Sequence, residues 1–137
     1  MKEGFSIEQM EVGQSASMNK KVTETDIDIF AGVTNDFSPI HVDAEYASKS
    51  IFKQKIAHGM LSAGFISATI GTKLPGFGTV YLKQSLRFKN PVMIGDTVKT
   101  TVTITSINKR RKVVVLETIC TVANKPVIAG EATVMKP

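Results

Sequence analysis

The chain has 137 residues, 42% of them hydrophobic, with no long Pro- or Ser-rich tract, which is the size and texture of a single domain spanning 1–137 around one core. Its one cysteine, Cys120, excludes an intramolecular disulfide and a thiolate metal cluster, and fits the reducing cytoplasm. The 17 basic residues against 12 acidic give a formal charge of +5, which favours anionic partners without naming one.

The N-terminal stretch "MKEGFSIEQMEVGQ" lacks the apolar segment of a signal peptide. No apolar run approaches the roughly 20 residues needed to cross a bilayer, so a soluble protein without membrane partners is expected. "SASMNKKV" reads as a strand. "TETDIDIFAGVTND" then changes to a helical period, with Thr23 and Asp26 spaced as a capping box and Ile27, Phe30 and Ala31 on one face. Pro39 disfavours helical geometry at Ser38 and is read as a helix stop. "DAEYASKS" restarts a short helix with Asp43 as N-cap.

From Gly59 to Thr72, "GMLSAGFISATIGT" contains no charge and is too short to span a membrane, which predicts a helix buried inside the protein, ended by Gly71 and "LPG". The second half is β-rich: "TVYLKQSLRF", "TVKTTVTITSI", "KVVVLETICTV" and "PVIAGEATVM" are β-branched, broadly alternating runs separated by turn residues. Val98, Val102 and Ile104 take one parity and Lys99, Thr101, Thr103 and Thr105 the other, as in an antiparallel sheet with one covered face. Short connections favour a meander. The predicted architecture is α+β, about five antiparallel strands curved around a long central apolar helix, with short extra helices before it. The densest basic run, "NKRRK", sits between two strands as a solvated hairpin tip; with no Trp and few aromatics, no nucleic-acid partner is expected.

The chemistry concentrates in "DFSPIH". Asp36 and His41 are too far apart in sequence to share a helical face, but a turn at Pro39 lets both address one point, with Phe37 and Ile40 anchoring the loop to the core. An imidazole exchanges protons near neutrality, and a carboxylate can orient a water or take its proton, so the pair can activate one water. A plain polar turn accounts for the same residue types. In "IAHGML", His58 and Gly59 fall where the apolar helix begins. Its first N–H groups lack intrahelical partners, and Gly59 lets an oxygen of developing negative charge approach. Packing against the sheet is the simpler reason for Gly59, and capping the simpler reason for His58.

"TNDFSPIHVDAEYA", "IAHGML" and "YLKQSLRFKNPVMIGD" together resemble the MaoC-like hydratase family, in particular its (R)-specific enoyl-CoA hydratases of hot-dog fold, over nearly the whole chain. The resemblance implies that Asp36 and His41 are the catalytic pair and that the Gly59 N–H holds the thioester carbonyl. It also sets Ser38, Ala57, His58, Ser67 and Tyr81 around the substrate, Tyr81 within the Val80 to Leu82 stretch of the tunnel floor. It implies hydration of a trans-2-enoyl-CoA to an (R)-3-hydroxyacyl-CoA, a homodimer, no metal, and no cofactor beyond the CoA carried by the substrate. Lys83, Arg87 and Lys89 are candidate phosphate contacts, or simply solvent-facing strand residues. A carrier-protein dehydratase, with acyl carrier protein as partner, is the nearest alternative, followed by a hot-dog thioesterase and a noncatalytic acyl-binding subunit. The family pattern Gly-Asp-x-Asn-Pro-x-His is altered here, with Asn35 before the Asp and Ser38 in place of the Asn.

Overall fold

The structure, a computed structural model, describes residues 3–137. After a 3-10 turn at Ile7–Gln9, strand β1 (Ser15–Lys21) leads into helix α1 (Glu24–Thr34). Thr23 and Asp26 close the expected capping box: Thr23 N–H donates to Asp26 Oδ2 (2.9 Å) and Asp26 N–H to Thr23 Oγ1 (3.1 Å). Lys20 pairs with the same carboxylate at 3.0 Å. Ile27 and Ala31 are the buried face of α1.

Helix α1 ends at Thr34 and Ser38 is non-helical (φ −52°, ψ 129°), as expected ahead of a proline, and Pro39 also starts a helix of its own. It occupies the first turn of α2 (Pro39–Val42), where its missing N–H costs nothing and its fixed φ is already helical. Asp43 then caps α3 (Ala44–Ser48) through Tyr46 N–H (3.0 Å).

The apolar helix α4 spans Gly59–Thr72, matching the charge-free run. It is not enclosed on all sides. Ser62, Phe65, Ile66, Thr69 and Ile70 are buried, whereas Met60, Gly64 and Ser67 are exposed. Absence of charge marks a helix that avoids water on average, and it does not say which face the sheet takes.

The sheet comprises β2 (Val80–Gln84), β3 (Arg87–Phe88), β4 (Thr97–Asn108), β5 (Val113–Val122) and β6 (Lys125–Met135) together with β1. All pairings are antiparallel in the order β1-β4-β5-β6-β2, with β3 also on β6. Five long strands therefore follow the expectation, and the sixth arises because "TVYLKQSLRF" is broken in two. The break lies opposite Gly130, where a β-carbon would fall 1.9 Å from the Ser85 carbonyl oxygen. Only glycine permits that approach, and Ser85 bonds to the backbone of Glu131 on either side of the jog.

On β4, Val98, Thr100, Val102 and Ile104 face the core, joining Val114, Leu116 and Cys120 of β5 and Val127, Ile128, Ala132 and Val134 of β6. Thr100 completes the parity read from the sequence, its hydroxyl 3.4 Å from Cys120 Sγ. Burial and weak hydrogen bonding leave this thiol harder to ionise than an ordinary cysteine, because desolvation outweighs the bond to Thr100. The basic run 109–112 forms the exposed turn between β4 and β5. Helix α4 packs on β4, β1 and β5, and the residue before it, His58, bonds to the Asp36 carbonyl in the loop ahead of α2.

Candidate active site

The loop from α1 to α2 is shaped residue by residue. Asn35 ends α1 in the left-handed conformation, φ 65° and ψ 21°. Glycine is the residue best suited to that region and asparagine is among the few others that adopt it readily, so Asn35 serves the geometry that the family pattern gives to glycine. Asp36 Oδ1 then accepts the Ser38 N–H (3.2 Å), and the Ser38 carbonyl accepts the His41 N–H (3.0 Å). The Ser38 hydroxyl makes no capping bond to α2. Ser38 thus orders the loop through its backbone, which any residue other than proline supplies. Phe37 is 57% exposed and does not anchor the loop in the isolated chain; Ile40, partly buried, remains in that role through its carbonyl, which accepts the Ile56 N–H at 3.2 Å.

The turn brings the expected pair together. Ligating atoms of Asp36, His41 and His58 all lie within 4.8 Å of one another. His41 Nδ1 is 2.7 Å from the Ile56 carbonyl oxygen. A carbonyl only accepts, so Nδ1 carries the proton and, in the neutral ring, the lone pair sits on Nε2.

His58 precedes α4 as its N-cap residue but makes no side-chain cap bond. Its ring, 2% exposed, instead turns to the loop: Nε2 donates to the Asp36 carbonyl (3.0 Å). The ring stacks on His41 with centroids 3.9 Å apart and planes 25° from parallel, and it meets Phe30 at 4.8 Å. Gly59, next in sequence, opens α4, where the N–H groups point away from the helix body.

A cavity of about 500 Å³ opens at this junction, lined by His41, Ala57, His58, Gly59 and Ser62, with Phe88, Val127 and Ile128 among its apolar wall residues. Ala57 is buried and held by its N–H to the Val92 carbonyl (2.8 Å). Asp36 is exposed and is not a lining residue; it reaches the site through its closeness to His41 and His58. Asp, His and His are metal-ligand residue types, but two ring nitrogens are already engaged as donors, an arrangement suited to moving protons.

Ser67 and Tyr81 are not brought to this cavity. Ser67 is exposed, roughly 12 Å beyond Gly59 at about 1.5 Å per residue of helix. Tyr81 lies on β2 and donates to Gln84 Oε1, while Gln84 Nε2 donates to Thr118 Oγ1 (2.9 Å). Desolvation raises its phenol from 10.0 to about 12. Ser62 and Phe88 are among the lining residues for which the sequence raised no expectation. Ser62 is buried, with a hydroxyl that has no partner among the described residues. Its position four residues after His58, in an otherwise apolar helix, was the available signal. Phe88 reads as an ordinary strand aromatic, with nothing local to mark it.

Residues 7–125 match the family model described as the MaoC like domain, and the chain belongs to that family. It is 57% identical to an (R)-specific enoyl-CoA hydratase of Rhodospirillum rubrum over 95% of this chain and 90% of that protein. It is 40% identical to a 3-hydroxybutyryl-CoA dehydratase of Methylorubrum extorquens over 95% of this chain and 83% of that protein. Among solved structures, R-hydratase PhaJ1 from Pseudomonas aeruginosa, in the unliganded form, superposes with TM-score 0.93 at 42% identity, covering 98% of this chain and 86% of the other. The fold is the hot-dog fold of the R-hydratases, with α4 as its central helix.

Proposed function

We propose that this protein is an (R)-specific enoyl-CoA hydratase, with Asp36 and His41 as its catalytic pair, acting on trans-2-enoyl-CoA thioesters in the cytoplasm. The whole chain acts as one catalytic domain. The observation that carries the reading is the meeting of Asp36, His41 and the N-terminus of α4 beside an apolar cavity. The 57% identity to a hydratase over almost the full chain supports the same conclusion.

The thioester carbonyl accepts the Gly59 N–H, and the positive end of the α4 dipole stabilises the enolate as charge builds on that oxygen. A water lies between Asp36 and His41. His41 Nε2 takes one of its protons as the oxygen bonds to the β-carbon, and the imidazolium then returns that proton to the α-carbon. The Asp36 carboxylate accepts the water's other hydrogen and balances the transient charge on His41. Atoms and electrons balance within substrate and water, so the step calls for no redox group or metal, and CoA enters only as part of the substrate.

A homodimer is proposed with it. Strand β2 is a sheet edge that exposes Val80, Tyr81 and Leu82 in succession, and α4 exposes Met60 nearby in sequence to the cavity-forming Gly59. An unpaired edge with apolar side chains is a ready surface for pairing with a second copy.

The test is incubation with crotonyl-CoA, following loss of the conjugated enoyl absorbance and the configuration of the product. (R)-3-hydroxybutyryl-CoA is expected, and Asp36→Asn or His41→Ala should lower turnover roughly 100-fold or more without unfolding the protein. Free CoA release would indicate a thioesterase, activity confined to a carrier-protein substrate the dehydratase, and no reaction a binding subunit.

A further inference from the structure

We infer that His58 is a positioning residue, a buried neutral imidazole that locks the acid loop and the His41 ring to the start of α4. This rests on the catalytic reading of Asp36 and His41 above. Four observations converge on one side chain. His58 is 2% exposed, so its orientation is set by packing. Its Nε2–H holds the carbonyl of Asp36, the residue whose carboxylate orders the loop. Its face stacks on His41, with Phe30 closing in from another side. Its own carbonyl accepts the Leu61 N–H as the first turn of α4 forms, immediately beside Gly59.

The two rings hold opposite tautomers, His41 protonated on Nδ1 by its bond to Ile56 and His58 on Nε2 by its bond to Asp36. Stacked neutral imidazoles of opposite tautomer keep the His41 lone pair on Nε2 without a competing donor from His58. The remaining His58 nitrogen, Nδ1, is buried and has no partner among the described residues, which hold the ring by one hydrogen bond and two aromatic contacts. A group serving only as a cap would point at α4's own N–H groups, and His58 does not. One ring therefore couples the three parts that must stay in register: the carboxylate loop, the proton-transfer ring and the helix N-terminus.

His58→Phe keeps a flat ring but removes the donor, and His58→Gln keeps a donor but removes the stack. With folding checked by circular dichroism and melting, His58→Phe should lower kcat by about 10- to 100-fold with KM held within about twofold, and His58→Gln should keep more of kcat than His58→Phe. Wild-type kcat in His58→Phe, or losses confined to KM, would overturn the inference, the second by making His58 a substrate contact. Independently of turnover, nitrogen-15 spectra of the wild-type rings are simple, because the chain has 2 histidines. One Nδ1–H and one Nε2–H tautomer are expected, and the Nε2–H ring should be the one lost in the His58 variants. Two rings of the same tautomer would overturn the assignment even if the enzyme proved inactive on enoyl thioesters, an outcome that would strike the functional reading instead.

Discussion

Gly59 and Phe88 meet so closely that a β-carbon on residue 59 would lie 2.6 Å from Cε1 of the Phe88 ring. The ring sits over the first residue of α4, on the wall of the cavity that holds His41 and His58. Glycine here serves two ends at once: it leaves its N–H approachable and it leaves room for the aromatic.

Gly59→Ala should therefore separate stability from activity. Phe88 is 52% exposed, so its ring can swing outward, and unfolding in urea should show a loss of no more than about 1 kcal/mol, the low end for overpacking. Turnover of crotonyl-CoA should fall by more than about tenfold, because the new methyl group and the displaced ring both crowd the carbonyl's approach to a donor of the oxyanion type. Gly59→Ala with Phe88→Leu should recover part of the rate; no recovery would assign the loss to the methyl group alone.

Asn35 gives a second separation, this time of backbone from side chain. At φ 65° a β-branched or alanyl residue is strained, so Asn35→Ala should cost about 1 kcal/mol and lower turnover by loosening Asp36, while Asn35→Gly should hold stability within about 0.5 kcal/mol. Urea denaturation of the two variants checks it. Equal stabilities would mean that the Asn35 side chain, not its conformation, matters.

Tyr81 predicts a pH effect. The folded protein keeps the phenol proton up to about 12, against 10.0 for the free group. The unfolded chain releases that proton first, so stability is whole below pH 10.0 and is lost as pH rises through about 12. One of the two tyrosinate absorbance steps should be centred near 12 and vanish in Tyr81→Phe, which should also flatten the alkaline fall in melting temperature.

The proposed dimer is checked by light scattering. The wild-type protein should run at twice the mass of the chain, and Leu82→Glu, which sets a charge on the exposed edge strand β2, should shift it toward the monomer. A wild-type monomer at micromolar concentration would remove the edge-pairing argument.

What could be read beforehand was local. The limits of α4 coincide with the charge-free run, the Thr23 and Asp26 cap is complete within four residues, and the alternation of β4 announces its buried face. The meeting of the acid and the imidazole in the Asp36–His41 loop is legible for the same reason, since Asn35, Ser38 and Pro39 shape it from within. What could not be read depends on distant partners. The break between β2 and β3 is enforced by Gly130, on another strand. The His58 ring looks like a cap until its acceptor, the Asp36 carbonyl, is brought 22 positions back along the chain to meet it. Phe37 and Ser67 are surface residues of the isolated chain, because hydrophobicity and helical phase do not specify which side a sheet will cover.

The approach of the Ser85 carbonyl to Gly130 bears on how tolerance to substitution should be interpreted. Any side chain at 130 collides with backbone, which unlike the Phe88 ring has nowhere to go. In a saturation library, position 130 should be as intolerant as Asp36 or His41. Its intolerance would track abundance of the folded protein, whereas theirs would track turnover at unchanged abundance. A screen scored on growth alone would merge the two and mistake a seam in the sheet for part of the proposed site.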